Sequence, residues 1–188
     1  IAVDEIQCGM GRTGTFTAAE LSGLRGDYYT FSKSLGGGLT KVSAMMVSER
    51  RYQDDFGYMH GSTFAEDRLG CLMALRTLEL LQEEDILAVC ARSGQLFLGK
   101  LRQLAVEYPD VIREVRGAGL MLGVELASQQ QSPSFMLRLI AQHGMEMVNM
   151  LIAGYLLNVK QIRIAPTKTR NTIRFLPSAL ITEAEMDR

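Results

Sequence analysis

The sequence predicts an α/β fold followed by a smaller α+β region. Short apolar strand candidates alternate with helical patterns over the first half of the chain, as in a sheet covered by helices. Shorter alternating runs follow in the second half. This change of pattern predicts that the smaller α+β region starts near Arg116. A chain of 188 residues with 47% hydrophobic content can bury such a core.

Three strands are predicted in the first half. Residues 1–6 form a short apolar run that ends in acidic residues, and a glycine-rich loop follows it. Residues 28–31 are rich in β-forming side chains and stop before a lysine and three consecutive glycines, and residues 42–47 make the third strand. Because ligands bind at the carboxyl ends of strands in open α/β sheets, Asp4 and Lys33 lie where a site is expected.

Two helices are predicted next. Residues 66–81 are apolar on nearly all sides, which predicts a helix buried between layers. Residues 86–104 carry apolar side chains at helical spacing with charged ones on the other face.

The second half predicts a mixture of strands and helices. A strand is expected at residues 120–124 and a helix at residues 134–143. Alternating runs at 162–164 and 173–175 flank a turn-prone stretch, Lys168 to Asn171, which indicates a hairpin. Thr182 and Glu185 have capping-box spacing and predict the start of a last helix.

Composition excludes several function classes. Twenty basic and twenty-one acidic residues give a net charge of −1, unlike the basic surface of a nucleic-acid binder. Three cysteines without paired spacing and two histidines, His60 and His143, predict neither a disulfide framework nor a metal site. The sequence shows no apolar run of membrane-spanning length and no export signal, so we expect a cytoplasmic protein. Because the first residues read as the middle of a strand, we expect the chain to begin inside a larger protein.

Four blocks carry a family resemblance. They are Asp-Glu-Ile-Gln-Cys-Gly-Met-Gly-Arg-Thr-Gly at 4–14, Tyr-Tyr-Thr-Phe-Ser-Lys-Ser-Leu-Gly-Gly-Gly at 28–38, His-Gly-Ser-Thr-Phe at 60–64, and Arg-Gly-Ala-Gly-Leu-Met-Leu-Gly-Val-Glu at 116–125. In this order they resemble the class III (ornithine/acetylornithine-type) aminotransferases over nearly the whole chain. A single block could arise by chance, whereas their joint occurrence is a specific signal.

The resemblance implies the pyridoxal-phosphate (PLP)-dependent transferase fold type I, with PLP as cofactor. It implies that residues 1–108 are the C-terminal part of the large PLP-binding α/β domain and that residues 109–188 form the small C-terminal α+β domain. It implies that Lys33 forms the Schiff base with PLP and that Asp4 forms a salt bridge with the pyridine nitrogen. It places Gln7 near the ring hydroxyl and Arg174 near the substrate carboxylate. It also implies a homodimer in which Thr63 reaches the cofactor phosphate of the neighbouring subunit.

The chemistry gives independent reasons for two of these roles. An anionic Asp4 beside the pyridinium raises the pKa of the ring nitrogen and strengthens the electron sink. A partly desolvated Lys33 presents a neutral amine, which can also move the α-proton of the substrate. Each residue has an ordinary alternative: Lys33 and Arg174 as solvated side chains, Asp4 as a turn cap, Gln7 and Thr63 as loop hydrogen bonders.

The sequence departs from the family pattern at two places. After Phe64 the family usually has glycines, an asparagine and a proline, whereas this chain has Ala65-Glu66-Asp67-Arg68. Thr40-Lys41 replaces a more apolar pair, although Lys41 lies past the glycines and is not favoured for the Schiff base. Glycines 36–38 lack the spacing of a nucleotide-binding loop.

We therefore predict amino transfer from a small-molecule amino donor to a keto acid or aldehyde. Other PLP reactions on the same fold, such as those of aminomutases, racemases or decarboxylases, use the same residues and stay open. A non-catalytic, degenerate domain of a larger synthase is the alternative from another class, and residues 65–68 favour it slightly.

Overall fold

The chain divides into two compact units, Ile1–Ala91 and Arg92–Arg188. The structure is a computed structural model that describes residues 1–59, 61–142, 148–167 and 171–188. The domain boundary predicted after residue 108 stays a prediction. Within the described ranges, none of the helices has both the length and the apolarity needed to cross a membrane.

The first unit is built on a three-stranded sheet. Its strands are β1 (Ala2–Asp4), β2 (Tyr28–Phe31) and β3 (Ala44–Val47), in the order β1-β2-β3. β1 runs parallel to β2, and β3 is antiparallel to β2. All three strands lie where the sequence predicts them. Both β1 and β3 are shorter than predicted, and β3 begins two residues late.

Three helices follow the sheet, and the burial predicted for one of them is wrong. They are α1 (Asp54–Met59), α2 (Arg68–Glu83) and α3 (Ile86–Glu107). One face of α2 packs on the buried Met10, Phe31 and Leu35. The opposite face is exposed; its leucines Leu69 and Leu72 are 63% and 64% accessible. In this chain α2 is therefore buried on one face only, and not on both faces as its apolar composition predicts.

The second unit contains an antiparallel four-stranded sheet. The strands are β4 (Ile112–Ala118), β5 (Met121–Leu126), β6 (Ala165–Pro166) and β7 (Thr172–Phe175), in the order β4-β5-β7-β6. The helices are α4 (Phe135–Gln142), α5 (Val148–Val159) and α6 (Glu183–Met186). Its core contains the buried apolar side chains of Phe97, Leu101, Ile112, Leu122, Val124, Leu126, Val148 and Ile173.

Several predictions for this unit are incomplete. The strand expected at 120–124 is the second half of a β4–β5 hairpin. A Cβ on Gly117 (φ +146°) would lie 2.2 Å from the Met121 carbonyl oxygen, so the hairpin requires glycine there. The run at 162–164 is not a strand, since only Ala165–Pro166 pair with β7.

Some predictions are confirmed and others fall outside the described residues. Thr182 accepts a hydrogen bond from the Glu185 amide at 3.3 Å, and Glu185 accepts one from the Thr182 amide at 2.8 Å, so the predicted capping box opens α6. α4 confirms the predicted helix, but its expected last residue, His143, lies outside the described residues, as do His60 and residues 168–170 of the predicted turn.

Candidate active site

The sheet of the first unit brings the ends of β1 and β2 to one edge. The two strands are parallel and pair in register, with Asp4 opposite Thr30. β2 ends at Phe31, and Lys33 follows two residues later. Because parallel strands present their carboxyl ends together, Asp4 and Lys33 lie at the same edge, as the sequence predicts.

Asp4 presents its carboxylate at the protein surface. One oxygen, Oδ1, accepts a hydrogen bond from the Ile6 amide at 2.9 Å and lies 3.5 Å from the Thr30 hydroxyl. The other oxygen, Oδ2, has no hydrogen bond or ion pair within the described part of the chain. A carboxylate that is oriented by one oxygen and open at the other can accept a proton-bearing nitrogen.

Lys33 begins a short 3-10 turn, Lys33–Gly36, and has an unusual backbone conformation. Its φ of +48° is left-handed, which residues with a side chain rarely adopt. The turn is supported from two sides. The Ser32 hydroxyl donates to the Val42 carbonyl at 3.1 Å, and a Cβ on Gly37 would lie 3.1 Å from Thr77 Oγ1 of α2. The exposed Lys33 amine forms no ion pair or hydrogen bond with the described residues.

The pKa of the Cys8 thiol is raised above its ordinary value. Burial raises the pKa of its thiol, the Glu5 and Asp4 carboxylates raise it further, and the Lys33 ammonium lowers it. A thiol with a raised pKa stays protonated at neutral pH, so Cys8 is not suited to act as a nucleophile.

The other predicted site residues of the first unit are less well defined. Gln7 is half-buried in the loop after β1, and its side chain forms no hydrogen bond to the described residues. Thr63 lies in an exposed turn in which the Ala65 amide donates to the Ser62 carbonyl at 3.0 Å. Gln7 is therefore three residues after Asp4, in the loop that follows β1, and Thr63 has no side-chain hydrogen bond with a described residue.

Arg174 lies in the second unit, on β7. It pairs with Gly123 of β5 and with Ala165 of β6, in the middle of the sheet. Its Nε is buried and has no hydrogen-bond partner among the described residues. A buried donor without a partner is unfavourable by about 1–3 kcal/mol, so an anionic ligand at this guanidinium would be stabilised.

The departure at residues 65–68 has a structural explanation. Asp67 is the N-cap of α2, and its Oδ2 accepts a hydrogen bond from the Gly70 amide at 2.7 Å. Arg68 is the first residue of that helix. Glu66 has φ +59°, a conformation for which glycine is better suited. The charged stretch therefore contains the N-cap and the first residue of α2.

Glu5 is a residue to which the sequence reading assigned no role. It is 1% exposed, and its carboxylate accepts backbone hydrogen bonds from Ala18 and Ala19, each at 3.0 Å. The signal was available: side chains alternate along a strand, so one of two consecutive acids at the end of a buried strand points inward.

A cavity of about 310 Å³ lies elsewhere in the first unit. Its lining includes Tyr28 and Val47, which pair at the amino end of β2, together with Arg50 and Arg51. Both arginines reach the Asp27 carboxylate. This cavity is at the strand end opposite to Lys33 and is not part of the candidate site.

Comparison with known proteins gives a consistent match. The family model for class III aminotransferases matches residues 1–188. Among solved structures, an S-selective transaminase from Arthrobacter sp. with alanine bound is 24% identical with a TM-score of 0.84, over 99% of this chain and 41% of that chain. Ornithine aminotransferase from Toxoplasma gondii is 29% identical with a TM-score of 0.74, over 99% and 40%. That structure has partial occupancy of PLP at its active site.

A third similar structure is an ornithine aminotransferase from Plasmodium yoelii, which is 25% identical with a TM-score of 0.76, over 99% of this chain and 44% of that chain. The chain thus spans less than half the length of the proteins that it resembles.

Proposed function

Because the chain belongs to the class III aminotransferase family, we propose that the protein transfers an amino group from an amino donor to a keto acid or aldehyde, using PLP. Family membership confirms the predicted resemblance and the predicted fold class, the PLP-dependent transferase fold type I. The observation that carries the proposal is the placement of the Asp4 carboxylate and the Lys33 amine at one edge of a parallel strand pair, where the amine has no ion pair with a described residue.

The residues at this edge fit PLP. Lys33 offers a primary amine for the aldehyde carbon, and its left-handed φ of +48° is the kind of local strain that clusters at functional sites. Asp4 offers a carboxylate oriented by the Ile6 amide for the ring nitrogen. Gln7 would lie near the ring hydroxyl. Thr63 would contact the phosphate in the neighbouring subunit of a homodimer.

When bound, PLP supplies an electron sink for the bond that breaks at the substrate α-carbon. The residues of this chain would supply the rest. Asp4 would keep the ring nitrogen protonated, since an adjacent anion raises the pKa of that nitrogen. The Nζ atom of Lys33 would act as the base that takes the proton from the substrate α-carbon. Arg174 would bind the substrate carboxylate through its guanidinium.

The structure bears on the degenerate-domain alternative, whereas other PLP reactions are separated from amino transfer by experiment. Residues 65–68, which favoured a degenerate domain, start α2 through the Asp67 cap, so their charge has a folding role. Other PLP reactions require the same Asp4 and Lys33 and are separated from amino transfer by experiment. A single half-reaction with an amino donor and no acceptor yields one equivalent of keto product per active site only in amino transfer.

Covalent trapping tests the lysine assignment. We expect that borohydride reduction of the PLP-loaded protein, followed by peptide mapping, labels Lys33. The matched control is Lys41→Arg, which removes the neighbouring exposed lysine and should leave the label in place, whereas Lys33→Arg should abolish it. A label on Lys41, or on no lysine, contradicts the proposal.

A further inference from the structure

Glu5 makes an unusual set of contacts for a charged residue. Its side chain is 1% exposed, and its carboxylate lies at the start of the 3-10 turn Ala18–Ser22. Oε2 accepts from the Ala18 amide and Oε1 from the Ala19 amide, each at 3.0 Å. No lysine or arginine in the described ranges forms an ion pair with it. A buried carboxylate needs such donors, because an unsatisfied buried charge is strongly destabilising.

The backbone of Glu5 is bonded as well. Its amide donates to the Thr30 carbonyl of β2 at 3.0 Å, and its carbonyl accepts from the Gly9 amide at 3.0 Å. Residues 6–17, called here the 6–17 loop, leave β1 at Glu5 and return to the Glu5 carboxylate. Glu5 therefore bonds to β2, to Gly9 within the loop, and to the 3-10 turn that follows the loop.

The packing around Glu5 leaves little room for movement. A Cβ on Gly9 would lie 2.9 Å from both the Cβ and the carbonyl oxygen of Glu5 and 3.2 Å from the Phe31 ring. The loop is also closed on itself, since the Met10 amide donates to the Phe16 carbonyl at 2.8 Å. The first residues of the loop are thus fixed relative to β1 and β2.

We propose that Glu5 is a positioning residue for the cofactor: its buried carboxylate clamps the 6–17 loop to β1 and so fixes Asp4, one residue before it, and Gln7, two residues after it. This inference rests on the proposed function, which assigns Asp4 and Gln7 to PLP. Glu5 contacts neither cofactor nor substrate, and acts through the backbone and hydrogen bonds that it holds.

The clamp requires a carboxylate. Glutamine has the same shape but only one acceptor oxygen, so its NH₂ group would face the Ala18 or Ala19 amide, donor against donor. The remaining bond also loses the strength that charge gives it. Glu5→Asp keeps the charge but is one methylene shorter, so we expect a smaller effect than in Glu5→Gln.

Glu20 provides a matched control. It is exposed, and its Oε1 accepts from the Thr17 amide at 2.7 Å at the start of the same 3-10 turn. Glu20→Gln therefore weakens that turn by the same chemical change without touching the link to β1. If Glu5 only capped the turn, the two variants would behave alike.

Three measurements test the proposal in the complete protein. In the PLP-free form, hydrogen exchange of the 6–17 loop should accelerate in Glu5→Gln, while Glu20→Gln should affect only residues near 17–22. In the PLP-bound form, the PLP dissociation constant should rise about tenfold in Glu5→Gln, or about 1.4 kcal/mol. The pH midpoint of the bound PLP absorbance should also shift in Glu5→Gln. In Glu20→Gln the PLP dissociation constant should stay within about twofold of the parent value, and the pH midpoint should be the same as in the parent.

The outcomes separate this inference from the proposed function. Unchanged loop exchange, or identical behaviour of the Glu5→Gln and Glu20→Gln variants, overturns the role of Glu5. Should Glu5→Gln fail to fold, the same comparison is made with Glu5→Asp, and a Glu5→Asp protein with parental exchange and PLP affinity overturns the role. A parent protein that binds no PLP overturns the proposed function, and with it the positioning of Asp4 and Gln7 for PLP.

Discussion

At the scale of single residues, the backbone of Lys33 carries information that its side chain alone does not. A left-handed φ on a residue with a Cβ costs about 1–3 kcal/mol and persists only where the surroundings enforce it. Here the Ser32 hydroxyl bond to Val42 and the close approach of Gly37 to Thr77 enforce it. Glycine would fit this position with less strain, so the presence of a lysine here agrees with the proposed role of its amine.

Asp4→Asn should separate binding from turnover. An amide cannot stabilise the charge of a protonated pyridine nitrogen, so we expect PLP to be retained while turnover falls more than about tenfold, or about 1.4 kcal/mol of barrier. Steady-state kinetics and PLP absorbance check this, with the exposed Asp110→Asn as the control. Turnover within about threefold of the parent would remove Asp4 from the mechanism.

Arg174→Lys should weaken binding of substrates that carry a carboxylate. A lysine cannot reproduce the planar two-donor geometry of the guanidinium, so KM should rise about tenfold while kcat changes less. Arg163→Lys, a change at an exposed position in the same unit, should leave KM as in the parent. An unchanged KM in Arg174→Lys would assign the buried Nε to a structural role.

At the scale of secondary-structure elements, α2 links the unusual sequence at 65–68 to the lysine turn. The helix starts at the Asp67 cap, and its middle, at Thr77, contacts Gly37 of the lysine segment. Inside the helix, the Thr77 hydroxyl donates to the Met73 carbonyl at 2.8 Å. The position of the lysine turn thus depends on a helix whose start is encoded by residues that depart from the family pattern.

Asp67→Ala should loosen the first turn of α2. Loss of an N-cap aspartate costs about 1 kcal/mol, which corresponds to roughly fivefold faster exchange of the Gly70 amide that Asp67 accepts from. Asp67→Asn is the matched variant, because asparagine caps as well as aspartate and should exchange as the parent does. Equal acceleration in both variants would show that charge, rather than capping, matters at this position.

At the scale of the whole molecule, the proposed homodimer predicts that two deficient variants regain activity when they assemble with each other. If Thr63 serves the neighbouring subunit's cofactor, a heterodimer of Lys33→Ala and Thr63→Ala subunits has both defects in one site and an intact second site. Each variant alone should be deficient. Because the two sites contribute independently, the purified heterodimer should approach half of the parental activity.

Mixed dimers of parent and Lys33→Ala subunits provide the control, since they also keep one intact site and should show the same half activity. A Lys33→Ala/Thr63→Ala heterodimer as inactive as its parents would place Thr63 in its own subunit's site or outside the site. The exposed position of Thr63 is compatible with a contact across subunits and does not by itself establish one.

The sequence by itself determined the local features that depend on neighbouring residues. Side-chain pattern and short spacing predict the strand at Tyr28–Phe31 and the α6 capping box at Thr182. They also predict that Asp4 and Lys33 lie at the ends of strands. The four sequence blocks, in their order, indicated the family. The match of the family model over residues 1–188 confirms it.

Only the tertiary structure decided the features that depend on distant contacts. The exposure of one α2 face and the buried Arg174 Nε could not be read from local pattern, because burial depends on what packs against a side chain. For Glu5, alternation along the strand indicates that one of the two consecutive acids points inward, but it does not identify the partners of that acid. Those partners are the amides of Ala18 and Ala19, which lie 13 and 14 residues away along the chain, so the fold alone supplies the hydrogen bonds that a buried carboxylate needs.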